Sequence, residues 1–97
     1  MPLYVMLYKF TDQGAQRIKE TVERAEQTRQ EQEARGFKVQ GLFWTQGEFD
    51  LVAVVEAPDE QALMAGVLNI NAAGNVRSQV LRAYSAEEMQ QIIQKMG

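Results

Sequence analysis

The sequence predicts an α+β domain in which strand, helix, strand, strand, helix and strand follow one another, with one short helix appended. Three observations carry that prediction. Apolar residues alternate or run continuously in four stretches of strand length, at 2–10, 37–45, 49–57 and 76–84. Two longer stretches, 12–35 and 60–72, carry helix caps and apolar residues three and four apart. The order βαββαβ is that of the split βαβ, or ferredoxin-like, arrangement, in which both helices cover one face of a four-stranded antiparallel sheet.

Pro2 to Phe10 reads as a strand that is apolar on both faces, with Leu3, Val5 and Leu7 on one and Tyr4, Met6, Tyr8 and Phe10 on the other. Such a strand is covered twice. Thr11-Asp12 is an N-cap pair for a helix expected to run to about Arg35, with Ala15, Ile18, Val22 and Ala25 forming its buried stripe and Gly36 its stop. The last third of that helix, Thr28 to Glu33, has almost nothing apolar to bury. It is expected in solvent or against another subunit.

Phe37 to Thr45 and Phe49 to Ala57 form a β-hairpin about the Gln46-Gly47 turn. With an odd loop, cross-strand parity sets Phe37, Val39, Gly41 and Phe43 on the face of Phe49, Leu51, Ala53 and Val55, the expected core. The other face then carries Lys38, Gln40, Leu42 and Trp44 beside Asp50, Val52, Val54 and Glu56. Pro58 ends the strand, and Asp59 caps a helix from Glu60 to about Ala72 that offers Leu63, Val67 and Ile70 to the core. Ala72-Ala73-Gly74-Asn75 turns the chain into the fourth strand, Val76 to Tyr84. Ser85-Ala86-Glu87-Glu88 is a capping box for a last helix with Met89, Ile92, Ile93 and Met96 on one side, which needs a groove of its own or of a neighbour.

Ninety-seven residues make one domain, 1–97, able to bury roughly two-thirds of its unfolded surface. Apolar content of 45% and charged content of 24% are ordinary for a globular chain, and no run approaches a membrane span. No membrane partner is expected. The chain opens directly on a strand without the flanks of a secretory signal, so the cytoplasm is the expected compartment. Cysteine and histidine are both absent, which removes thiolate nucleophiles, histidine acid/base pairs and zinc sites together. No metal or cofactor is expected. A net charge of −3, with Arg and Lys interleaved among Glu, speaks against nucleic acid.

One face of the sheet would be left uncovered, and on this parity Tyr4, Met6, Tyr8, Leu42, Trp44, Val52 and Val54 form an apolar patch there. A second copy should cover it, giving a homodimer or higher homo-oligomer with two sheets face to face and a small cavity between them.

The candidate site residues are those whose chemistry could serve such a cavity. Asp50 is a carboxylate in an apolar run, either a poised acid or base or a hydrogen-bonding group that fixes the hairpin. Trp44, Tyr4 and Tyr8 either wall an aromatic pocket or pack the dimer. Gly74-Asn75-Val76-Arg77 could assemble a backbone amide, the Asn75 side chain and the Arg77 guanidinium on an anion, although a Gly-Asn turn is also common turn chemistry. Arg77 and Arg82 lie an odd number apart and point to opposite faces, so at most one serves the cavity. The Glu-Gln-Arg alternation of the first helix reads as a solvated face with weak ion pairs.

With these residues the chain resembles the GYD-domain family, small bacterial and archaeal proteins of the dimeric α/β-barrel superfamily. The resemblance rests on Tyr4, Thr11-Asp12-Gln13-Gly14, Arg24, Gly47-Glu48-Phe49-Asp50, Ala57-Pro58-Asp59, Gly74-Asn75-Val76-Arg77 and Leu81-Arg82-Ala83. Phe49 stands where the name-giving motif usually has tyrosine, which leaves packing intact and removes a phenol hydroxyl. The resemblance implies the fold and an oligomer, with no assigned activity. Superfamily analogy offers two classes of function. One is a small-molecule-binding or interaction module, like the ligand-sensing domains of Lrp-type regulators without their DNA-binding helices. The alternative is a cofactor-independent monooxygenase acting on a phenolic substrate in a dimer-interface cavity. Haem-degrading relatives are disfavoured by the missing histidine.

Overall fold

A computed structural model describes all residues, 1–97. Strand β1 (Leu3–Phe10) is followed by a short helix α1 (Asp12–Gln16), a 3₁₀ turn (Ile18–Glu20) and the longer helix α2 (Thr21–Ala34). Strands β2 (Lys38–Trp44) and β3 (Leu51–Glu56) form the hairpin, and α3 (Glu60–Ala73), β4 (Val76–Ala83) and α4 (Ala86–Gln94) complete the chain. The four strands make one antiparallel sheet in the order β2-β3-β1-β4, the ferredoxin-like order expected from the sequence.

The caps act as their residue types predict. Thr11 Oγ1 accepts from the Gly14 N–H, the Asp59 side chain from Ala62, and Ser85 with Glu88 closes a reciprocal capping box. The hydrogen bond from the Ser85 N–H holds the Glu88 carboxyl below its usual range. Gly36, at φ 93°, ends α2.

One face assignment of the sequence is reversed. Tyr4, Met6 and Tyr8 lie on the helix-covered face and belong to the core with Leu51, Ala53, Val55, Leu63, Val67 and Val76. Both faces of β1 are apolar, so periodicity could not say which one the helices cover. In β2 the error has a definite origin. Val39 pairs with Val55 as parity requires, but the register slips at Gln40, so Gly41 pairs with Val54, Leu42 with Ala53, Phe43 with Val52 and Trp44 with Leu51. One inserted residue sends every later side chain to the opposite face. Leu42 and Trp44 are therefore on the helix side, and Gly41 and Phe43 on the open side.

The open face retains the rows Leu81–Val5–Val54 and Leu7–Val52–Phe43, with Leu3 beside Glu56. None of these apolar side chains is fully covered, and Phe43 is 61% exposed.

The first helix also departs from expectation. It breaks at Arg17 and re-forms after a 3₁₀ turn, whose three residues per turn shift the phase of the helix beyond it. The expected stripe is lost at Ile18 and Val22, which are 45% and 64% exposed, while Ala25 still faces the sheet, and α2 has no fully buried residue. The break is held from within the chain, since Arg24 Nη1 donates to the Arg17 carbonyl at 2.8 Å and lies 3.4 Å from Glu20 Oε2. Likewise α4 has no fully buried residue, and Met89, Ile92, Ile93 and Met96 are exposed in the single chain.

What fixes the start of α1 is a clip to the turn before β4. The Thr11 N–H donates to the Asn75 carbonyl at 3.1 Å, Thr11 Oγ1 to the Gly74 carbonyl at 2.5 Å, and Gln13 Nε2 to the Ala73 carbonyl and Asn75 Oδ1 at 3.1 and 3.0 Å. Gly14 is buried against the same turn, where an added Cβ would collide with the Asn75 carbonyl oxygen. Only glycine permits that approach. The Gly14→Ala variant is expected to lose about 1–3 kcal/mol, as overpacked sites do, measured as a lower midpoint in urea unfolding.

Candidate functional site

The side of α2 that faces the sheet is built from Thr21, Arg24, Ala25, Thr28 and Gln32, a helical stripe of polar and small residues, all half-buried. Beneath it the sheet offers Tyr8, Val39, Leu42, Leu51, Ala53 and Val55, and α3 closes one side with Ile70. A polar stripe cannot settle onto an apolar floor without losing its hydration. A cavity of about 300 Å³ is left between them, with Phe10, Asn75 and Val76 at one end.

Its polar groups are of two kinds. Arg29 is saturated by Glu26 and Glu33, and the first of these bonds holds the Glu26 carboxyl below its usual range. Arg24 is more deeply placed, its side chain 19% exposed, and both of its hydrogen bonds use Nη1. At the start of α2, the Trp44 indole N–H donates to Thr21 Oγ1 at 3.1 Å and ties the helix to the end of β2.

The candidates read from the sequence fall into three places. Tyr8 and Asn75 line the cavity, and Trp44 stands beside it through Thr21. Tyr4 is buried further along the same face with its hydroxyl unpartnered, and Arg82 lies over its ring at 5.5 Å and over Tyr84 at 4.5 Å. Arg82 Nη1 also donates to the Leu3 carbonyl at 3.1 Å. Asp50 and Arg77 are near the opposite end of β1. Asp50 Oδ2 accepts from the Phe10 N–H at 2.9 Å while its own N–H donates to the Tyr8 carbonyl at 2.9 Å, so the carboxylate extends the strand pairing.

Arg77 and Arg82 do point to opposite faces, as Arg77 is opposite Lys9 and Arg82 opposite Tyr4. The Gly74 and Asn75 carbonyls and Asn75 Oδ1 accept from Thr11 and Gln13, and Arg77 reaches the Asn71 and Val76 carbonyls. Trp44, Tyr4 and Tyr8 therefore do not wall a cavity on the open face, because strand register sets all three on the other one. Thr21, Arg24, Thr28 and Gln32 are not among the site residues expected from the sequence. Their signal is the spacing of threonine, arginine and glutamine along one side of a helix whose expected apolar stripe lay elsewhere.

No group of three or more acidic side chains is placed to hold a metal ion, and no helix is long and apolar enough to cross a membrane.

Burial raises the Tyr8 phenol from 10.0 to about 12, because the phenolate would lose its water. In the unfolded chain the group ionises near its ordinary value, so its contribution is fully present below pH 10 and is lost as pH rises towards 12. Over that interval the unfolded state binds fewer protons and unfolding becomes easier. The domain is expected to lose about 2–3 kcal/mol across this window in denaturant titrations, with Tyr8→Phe losing markedly less.

Comparison with known proteins places the chain in a family. The chain is 30% identical over 90 residues to the glutamine synthetase and cystathionine beta-lyase binding protein of Thermus thermophilus, covering 92% of this chain and 95% of that protein. No solved structure matches this chain significantly. The GYD domain model matches residues 4–93, nearly the whole length, and the chain belongs to the GYD domain family.

Proposed function

We propose that this protein is an interaction module that works as a homo-oligomer and docks onto a larger enzyme. The observation that carries this reading is the open face of the sheet, where Leu3, Val5, Leu7, Val52, Val54, Phe43 and Leu81 form adjoining rows without cover. A soluble chain seldom leaves such a surface to water. A second copy presents the same rows about a two-fold axis, and self-complementary patches are the commonest route to dimers. The exposed stripe of α4 adds a second surface of the same character.

The relative from Thermus supports the docking half of the proposal, since its name records binding to glutamine synthetase and cystathionine beta-lyase. The chain's chemistry agrees with a binding role: without cysteine, histidine or an acidic cluster, few groups are available for catalysis.

Light scattering is expected to give twice the chain mass or more at micromolar concentration. Val54→Lys, on the open face and away from the core, should keep the circular dichroism of the parent and raise the dimer dissociation constant at least about 100-fold, because a lysine would be buried unpaired. A wild-type monomer overturns the assembly. Docking is tested separately by biolayer interferometry on purified glutamine synthetase and cystathionine beta-lyase from the same source. Saturable binding to either one is the expected result, and binding to neither removes this partner class.

A further inference from the structure

We infer that the cavity between α2 and the sheet is a binding site for a small amphipathic carboxylate, its apolar part on the sheet and its carboxylate at Arg24. The site is on the helix side of the sheet and owes nothing to the interface proposed above.

The floor and the roof of the cavity differ in chemistry. Below, Leu51, Ala53, Val55 and Leu42 present apolar surface that gains by meeting an apolar group. Above, α2 supplies hydroxyls, amides and two guanidiniums, and none of its side chains reaches full burial against that floor. A ligand with an apolar body and one polar end matches both. A volume of about 300 Å³ lies at the small end of ligand pockets, which suits a medium-chain or single-ring acid rather than a nucleotide.

The sign of the polar end follows from the two cations of the lining. Arg29 is occupied by Glu26 and Glu33. Arg24 contributes only Nη1 to its bonds with Arg17 and Glu20, so the rest of its planar fork is free for a carboxylate, the partner such a fork fits best. Of the acidic side chains, Glu31 is on the exposed rim and Glu20 is the exposed partner of Arg24. Glu20 meets Arg24 through Nη1 alone, at 3.4 Å, so it does not take the other donors of that guanidinium.

Trp44 makes the test direct, because the chain's single tryptophan is hydrogen-bonded to Thr21, a lining residue, and reports on α2. Octanoate titrated into the full-length protein should saturate a change in Trp44 fluorescence, with calorimetry giving one site per chain. Octanamide, lacking the charge, should bind at least about 10-fold more weakly, and Arg24→Gln should lose affinity for octanoate by a similar factor. Ala25→Leu, which fills the cavity from the roof while leaving Arg24 in place, should abolish binding without loss of fold. Val54→Lys should bind octanoate as the parent does, which separates this site from the open face. Failure of octanoate to bind the parent at millimolar concentration, or undiminished binding to Ala25→Leu, overturns the site. Equal binding of octanamide and octanoate, with Arg24→Gln unaffected, overturns the carboxylate assignment.

Discussion

The approach of Gly14 to the Asn75 carbonyl is the contact on which the rest of the architecture depends. It joins two segments some sixty residues apart, and four hydrogen bonds from Thr11 and Gln13 close around it. With α1 seated at the start of β4, the chain does not run on as one straight helix over the sheet. It turns at Arg17, takes one 3₁₀ turn and begins α2 in a new phase. The polar stripe of α2 faces the sheet, and the cavity lies between that stripe and the strands.

The elements and their order were legible in the sequence because they rest on local signals. Thr11, Asp59 and Ser85 cap helices where their residue types say they should, Gly36 stops one, and strand order follows from the handedness of the crossovers. The faces of the sheet were not legible, for two physical reasons. On β1 both alternating sets are apolar, so the pattern does not rank them. On β2 the register slip at Gln40 reverses the parity of the second half of the strand, and a bulge of one residue leaves no apolar pattern of its own.

The candidate residues follow the same division. Asp50 is recognisable as a carboxylate out of place in an apolar run, and its partner proves to be the backbone of Phe10, which is a long-range contact and invisible locally. That bond carries strand pairing one residue before the start of β3. Tyr8 is conspicuous as an aromatic on β1, yet it belongs to the floor under α2 and not to the open side. Arg24, Thr21, Thr28 and Gln32 do not stand out as a group while their helix is assigned a stripe in the wrong phase. A helical phase read across an unrecognised break misplaces residues beyond it, as it does Val22, while Ala25 keeps its place towards the sheet.

These corrections reassign the two faces of the sheet to different work. The aromatic groups expected on the uncovered side are needed beneath the helices, where Tyr4, Tyr8 and Trp44 meet Arg82, the cavity and Thr21. The open side keeps the apolar side chains of Leu, Val and Phe, with Gln79 opposite Leu7 and Glu56 opposite Leu3. Strands β1 and β3 carry alternate residues to both sides. Val52 and Val54 face outward while Leu51, Ala53 and Val55 form the cavity floor. The two surfaces thus share these central strands while using alternate side chains, so each can be altered by substitutions that leave the other's side chains in place.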